Sequence, residues 1–104
     1  MKRYKCQALV SLYPASHGGL AEALPSETRC LVVRAAHPET RDERLFSSVV
    51  RTDDGQALRP GSCALVTMQV NGDDAREFVV AGEAFTLWFR TNVGRGVVSR
   101  RIFT

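Results

Sequence analysis

The strongest constraint on the fold of this chain is a period of two in its apolar residues. Tyr4, Cys6, Ala8, Val10 and Leu12 fall at every second position, interleaved with Lys5, Gln7 and Ser11. Successive side chains of a β-strand point to opposite faces, so this spacing predicts a long first strand with one face buried and one face wet. The same period returns in Ala64, Val66, Met68 and Val70, and again in Phe85, Leu87 and Phe89, which alternate with Thr86, Trp88 and Arg90. Cys30 to Arg34 and Leu45 to Arg51 are compact runs with strand character, and Arg76 to Val80 reads as a further short strand. A last strand from about Gly96 to Phe103 is expected to face the first.

Turn signals separate these runs. Gly18-Gly19 supplies a tight bend, Asp53-Asp54-Gly55 a turn tolerant of positive φ, and Arg59-Pro60-Gly61 a turn in which Pro presets φ and Gly takes the left-handed position. Asn71-Gly72-Asp73 reads as a hairpin turn, and Val93-Gly94-Arg95-Gly96 as the loop between the last two strands. The one stretch with helical composition, Ala21-Glu22-Ala23-Leu24, is stopped at once by Pro25. Six to seven short strands with Gly, Pro and Asp between them predict one all-β domain over residues 1–104, a small closed antiparallel Greek-key barrel. Closure removes the edges that an open sheet of this size would expose.

Composition narrows the setting. No apolar run is long enough to cross a bilayer, and Met1-Lys2-Arg3-Tyr4-Lys5-Cys6 is not followed by a signal-type apolar stretch, so a cytoplasmic location is expected. Cys6, Cys30 and Cys63 match no zinc spacing and are odd in number, which reads as three small buried apolar residues. Charge is divided along the chain: Lys2, Arg3 and Lys5 near the start and Arg90, Arg95, Arg100 and Arg101 near the end have no acid among them, while all 11 acids lie between Glu22 and Glu83. Two basic terminal strands that pair would present one surface to an anionic partner.

No catalytic set can be assembled. His17 and His37 lie in polar loops without a second ligand at useful spacing, the serines lack a nucleophile elbow, and the paired aspartates sit in turns that favour Asp for backbone reasons. There is no phosphate-cradling Gly-rich loop ending in Lys-Ser/Thr. The expectation is a protein that is not an enzyme and needs no cofactor, metal or nucleotide. Trp88 is the other notable residue: with Phe89 in the core it would point outward beside Thr86 and Arg90, the composition of an interface anchor or of a platform for an unpaired base.

Two segments carry a family resemblance. Leu58-Arg59-Pro60-Gly61 running into the strand that ends at Val70, followed by Phe85 to Arg90 and Val93-Gly94-Arg95-Gly96-Val97-Val98, resembles the C-terminal β-barrel of the elongation factor Tu family. Tyr4 to Leu12, Gly18-Gly19 and Cys30 to Arg34 are similar to earlier parts of that barrel. The resemblance implies a translation-factor-like barrel standing without its GTP-binding domain, in a family where this barrel helps hold the T-stem of tRNA. The sequence departs from the family at Leu20-Ala21-Glu22, where the family has Arg, then His and Thr, and at Trp88-Phe89, where it has a doubled glycine.

Two functions are therefore expected in competition. One is a binding module for RNA or a ribonucleoprotein, acting through Lys2, Arg3, Lys5, Arg90, Arg95, Arg100 and Arg101. The other is a protein-interaction or scaffold domain that uses the surface around Trp88 to meet another protein or a second copy of itself, with no membrane involved in either.

Overall fold

The computed structural model describes residues 3–102, and of Arg3 only the backbone. Six strands, β1 (Arg3–Leu12), β2 (Glu27–Ala36), β3 (Glu43–Thr52), β4 (Cys63–Asn71), β5 (Ala84–Phe89) and β6 (Thr91–Ile102), close into an antiparallel barrel in the order β1-β4-β3-β2-β5-β6. Strands β2, β3 and β4 are consecutive neighbours and β5 returns to lie beside β2, which is the Greek-key arrangement. The first and last strands pair, from Lys5 opposite Ile102 to Leu12 opposite Gly94.

The period-two residues fill the interior as expected. Cys6, Ala8 and Val10 of β1 meet Val66, Met68 and Val70 of β4, with Leu31, Val33, Phe46, Val50, Phe85, Leu87 and Val98 completing one continuous core. Among the described residues only Thr28, Ser48 and Thr52 bring buried polar side chains, and each hydroxyl donates to a backbone carbonyl: Thr28 to Pro25, Ser48 to Leu31 and Thr52 to Gln56. Hence the core hydroxyls carry no unmet polar cost.

The two ends of the barrel are closed differently from the sequence expectation. Arg76 to Val80 does not form a strand: a one-turn helix, α1 (Ala75–Phe78), stands there. Ala75, Phe78 and Val79 are buried, and their spacing of three and four residues puts them on one helical face, a signal too short to outweigh strand propensity. Phe78 packs on Phe46 with centroids 5.6 Å apart and covers the end of the barrel where β3 begins. Accordingly Asn71-Gly72-Asp73 is no hairpin, since β4 pairs with β1 and β3 and the chain from Gly72 crosses the barrel end instead. At the other end Ala21 to Leu24 forms no helical turn. Leu24 exchanges backbone hydrogen bonds of 2.8 and 2.9 Å with Leu58, and both leucines are buried as a plug. Pro25 favours this extended conformation at Leu24.

The reading of Val93-Gly94-Arg95-Gly96 as a loop is also corrected. All four residues lie inside β6, and the reversal from β5 is made by Arg90 alone, at φ 69° with Phe89 opposite Thr91. Neither Gly94 nor Gly96 has positive φ. They are glycines because of close approach: a Cβ on Gly94 would stand 2.6 Å from the Ser11 carbonyl oxygen, and one on Gly96 would stand 2.4 Å from Cζ of Phe85. The Phe85 ring, directly opposite Gly96, fills the space that a side chain would need.

Candidate functional site

The outward face of β3, β2 and β5 carries an apolar groove of about 430 Å³ whose floor and walls include Cys30, Val32, Leu45, Trp88 and Phe89. Register explains the grouping. Val32 lies opposite Trp88 on one side, and Arg34 lies opposite Leu45 on one side and Thr86 on the other, so these side chains share the outer face. Trp88 is half-buried, and its Nε1–H donates to Thr86 Oγ1 at 2.9 Å, which satisfies the indole's one polar group. Leu45 remains 66% exposed.

Phe89 is partly buried against the core rather than inside it. A bulge between Leu87 and Trp88, with Val93 as the extra residue on β6, breaks strict alternation there. Both aromatic residues consequently line the groove, where the sequence placed only Trp88 outside.

Arginines rim the groove. Arg34 lies over the Trp88 ring, 5.8 Å from its centroid, and forms a salt bridge with Glu43. Arg44 pairs with Asp74 at 2.6 Å and covers the Phe78 ring at 5.5 Å. Arg90 completes the lining, exposed and without an ion pair among the described residues. A neighbouring hollow shares Trp88 and Arg34 and reaches Tyr13, Asn92 and Arg95, and there the side-chain Oδ1 of Asn92 is buried without a hydrogen-bond partner among the described residues.

The sequence grouped the basic residues of the two terminal strands into one surface. The structure divides them. Lys5, Arg100 and Arg101 lie together where β1 begins and β6 ends, with Arg100 donating to Gln7 Oε1 at 3.2 Å and Arg101 over the Tyr4 ring at 5.3 Å. Arg95 pairs with Ser11 at the far end of β1, and Arg90 belongs to the groove on the other side. Exposed Leu9, opposite Val97 of β6, sits between the two groups. The backbone of Arg3 opens β1, and Lys2 lies outside the described residues. Arg34 and Arg44, which complete the basic rim around Trp88, come from the acidic middle of the chain and were missed; only barrel closure brings β2 and β3 beside the aromatic strand.

Of the three cysteines, Cys6 alone is buried. Burial pushes its thiol up to about 12, so it is an inert core residue. Cys30 and Cys63 are exposed. A register shift after Thr28 turns Cys30 outward, and Cys63 is out of phase with the inward Val66, Met68 and Val70. His37 organises its own turn, its Nδ1 accepting from the backbone N–H groups of Glu39 and Thr40 at 3.1 and 3.3 Å. Among the described residues no group of His, Cys, Asp and Glu could hold a metal ion, and no helix is long and apolar enough to cross a membrane.

Fold and site together define a closed six-stranded Greek-key barrel with an arginine-rimmed apolar groove on its outer wall. No family model matches the sequence, and no curated protein matches it.

Proposed function

We propose that this barrel is a non-catalytic binding module, and that its partner is a protein segment presenting a bulky apolar side chain next to carboxylates, received in the groove between Trp88 and Leu45. The observation that carries the reading is the pairing of an apolar floor with unequal charge at the rim: Arg34 and Arg44 already have acids of their own, whereas Arg90 has none among the described residues. Apolar surface gains most from burial by an apolar side chain, and a free guanidinium beside it favours a carboxylate. Aromatic and arginine side chains in a concave site are the usual composition of an interface anchor.

Two features weigh against RNA as the partner. The basic residues do not form one track for a phosphate backbone, and Trp88 is no open stacking platform, since Arg34 lies over its ring and Thr86 holds its edge. A closed antiparallel barrel is an architecture that many unrelated functions share, so it carries neither the resemblance to the elongation factor Tu family nor a tRNA-related role.

Trp88 is the only tryptophan, so its fluorescence reports on the groove directly. Short peptides with one Leu, Phe or Trp flanked by Asp and Glu are expected to change its emission with saturation, and Leu45→Asp to abolish the effect while the barrel stays folded. Peptides with the acids replaced by Lys serve as the control. Silence towards every acidic peptide, together with salt-sensitive binding of mixed-sequence single-stranded RNA, would reverse the assignment.

A further inference from the structure

On the wall of the barrel away from the groove, we infer a second interaction surface, one that pairs with a second copy of this chain. Leu9 lies opposite Leu65 on β4 and opposite Val97 on β6, so the three side chains form a row across three adjacent strands. They are 47%, 46% and 46% exposed and, with Leu45 in the groove, are the large apolar residues most open to water among the described residues. Single exposed apolar residues need no explanation; a contiguous cross-strand row does.

The charges around this row identify its occupant. Two residues along β1 in one direction, Arg95 stands opposite Ser11, on the β6 side of Leu9, with no ion pair among the described residues. In the other direction, on the β4 side, Asp53 is fixed by two neutral donors: Gln7 Nε2 at 2.6 Å and Thr67 Oγ1 at 2.8 Å. Arg51 and Arg100 line the same hollow as Asp53, Arg100 donating to the other end of the Gln7 amide, yet neither forms an ion pair with Asp53 among the described residues. The Asp53 backbone lies beside Leu65, its N–H donating to the Leu65 carbonyl oxygen at 3.0 Å, and its carboxylate reaches back to Gln7 and Thr67, so Arg95 and the Asp53 carboxylate stand at opposite corners of a patch centred on Leu9.

That layout is self-complementary. A two-fold axis lying in the plane of contact, through Leu9 and perpendicular to the line joining the corners, sets Leu9 on Leu9. It also brings Arg95 of each copy over Asp53 of the other, which is the isologous arrangement of a symmetric dimer. A second copy supplies both charges at the matching spacing. The patch is small and on a convex wall, so the dimer is weak, and it is weakened further by salt.

Sedimentation across protein concentrations up to about 1 mM at low salt tests this. The wild-type chain is expected to pass from monomer to dimer, and Leu9→Glu to remain monomeric with its circular dichroism unchanged. Asp53→Arg and Arg95→Glu are each expected to weaken self-association about tenfold or more. Mixed together, the two single variants regain a dimer, because each then offers the charge the other lacks; a double variant carrying both exchanges regains it as well. A wild-type chain that stays monomeric throughout overturns the proposal. So does a dimer that survives Leu9→Glu, one that Trp88→Ala abolishes, or single variants that fail to restore each other on mixing. Arg95 also lines the hollow beside the groove, so Leu9→Glu, which lies on β1 away from Trp88 and Leu45, together with the Trp88→Ala control, separates this outcome from that of the groove.

Discussion

Gly96→Ala places one methyl group where the structure has none to spare. Its Cβ would stand 2.4 Å from Cζ and 2.9 Å from Cε2 of Phe85, where ordinary contacts between carbon atoms are about 3.5–4.0 Å. The ring would have to withdraw by roughly 1 Å, and Phe85 is buried in the core, so it can do so only by displacing its neighbours. The backbone carbonyl oxygen of Leu9, 3.0 Å away on the other side, cannot yield without breaking the β1–β6 pairing. Overpacking of this kind costs about 1–3 kcal/mol. Replacing glycine also removes freedom from the unfolded chain, which returns about 0.4–1 kcal/mol. The central values leave a net loss of about 1.3 kcal/mol, or a fall of roughly 5–10 °C in Tm for a domain of this size. Thermal unfolding followed by circular dichroism measures it. Phe85→Leu, itself destabilising by about 1–2 kcal/mol, should accommodate the new methyl, so that the double variant is more stable than the sum of the two losses predicts. A Gly96→Ala variant with an unchanged or raised Tm would refute the reasoning and return residues 93–96 to the status of a tolerant loop.

Other consequences follow from the same structure. Cys30 and Cys63 should react with a thiol reagent in the native protein while Cys6 reacts only on unfolding, giving two fast thiols and one slow one; three fast thiols would contradict the burial of Cys6. Burial raises Cys6 to about 12 from 9.0 and also raises Tyr4, chiefly by desolvation. Both groups are neutral when protonated, so their contribution is complete below the unfolded values and is lost as pH rises. Stability should fall above about pH 9, with a slope from Cys6 of about 1.4 kcal/mol per pH unit. Cys6→Ala should flatten the first part of that decline, and an unchanged slope would show that Cys6 is not its source. Arg90 holds φ 69°, a conformation that costs a side-chain-bearing residue energy, so Arg90→Gly should raise stability by about 0.5–1 kcal/mol in chemical denaturation while weakening acidic-peptide binding. Loss of stability in that variant would mean that the guanidinium contributes to the fold.

Much of the barrel was legible because its interior is built from strict alternation. Tyr4 to Leu12 and Ala64 to Val70 announce their buried faces, and Arg59-Pro60-Gly61 forms the expected turn, with Gly61 at φ 80° and the Ser62 N–H donating to the Arg59 carbonyl oxygen at 3.1 Å. The failures occur where alternation lapses or is too short to judge. One helical turn at Ala75 to Phe78 offers a single i, i+3, i+4 set, which β-rich surroundings outweigh. Glycine signalled a loop at Val93 to Gly96, yet there it answers to the Phe85 ring and the Ser11 backbone, partners more distant in sequence than local turn chemistry considers. Cys63 could have been placed outside by counting phase from Val66, whereas Cys30 needed the register shift after Thr28. The site was half legible: Trp88 stood out by type, while Val32, Arg34, Arg44 and Leu45 join it only through the pairing of β2 with β3 and β5. The charge division along the chain had no counterpart in space, because closing the barrel sets arginines of the middle strands beside those of the last.

The most direct measurement of the central claim is an NMR titration of the isotopically labelled protein with an acidic, leucine- or aromatic-containing peptide, followed by mixed-sequence single-stranded RNA. The peptide is expected to move the Trp88 indole N–H signal and the amides of Val32, Arg34, Leu45, Phe89 and Arg90, leaving those of Lys5, Arg100 and Arg101 in place. No peptide response at the groove, with RNA moving Lys5, Arg100 and Arg101 instead, would contradict it.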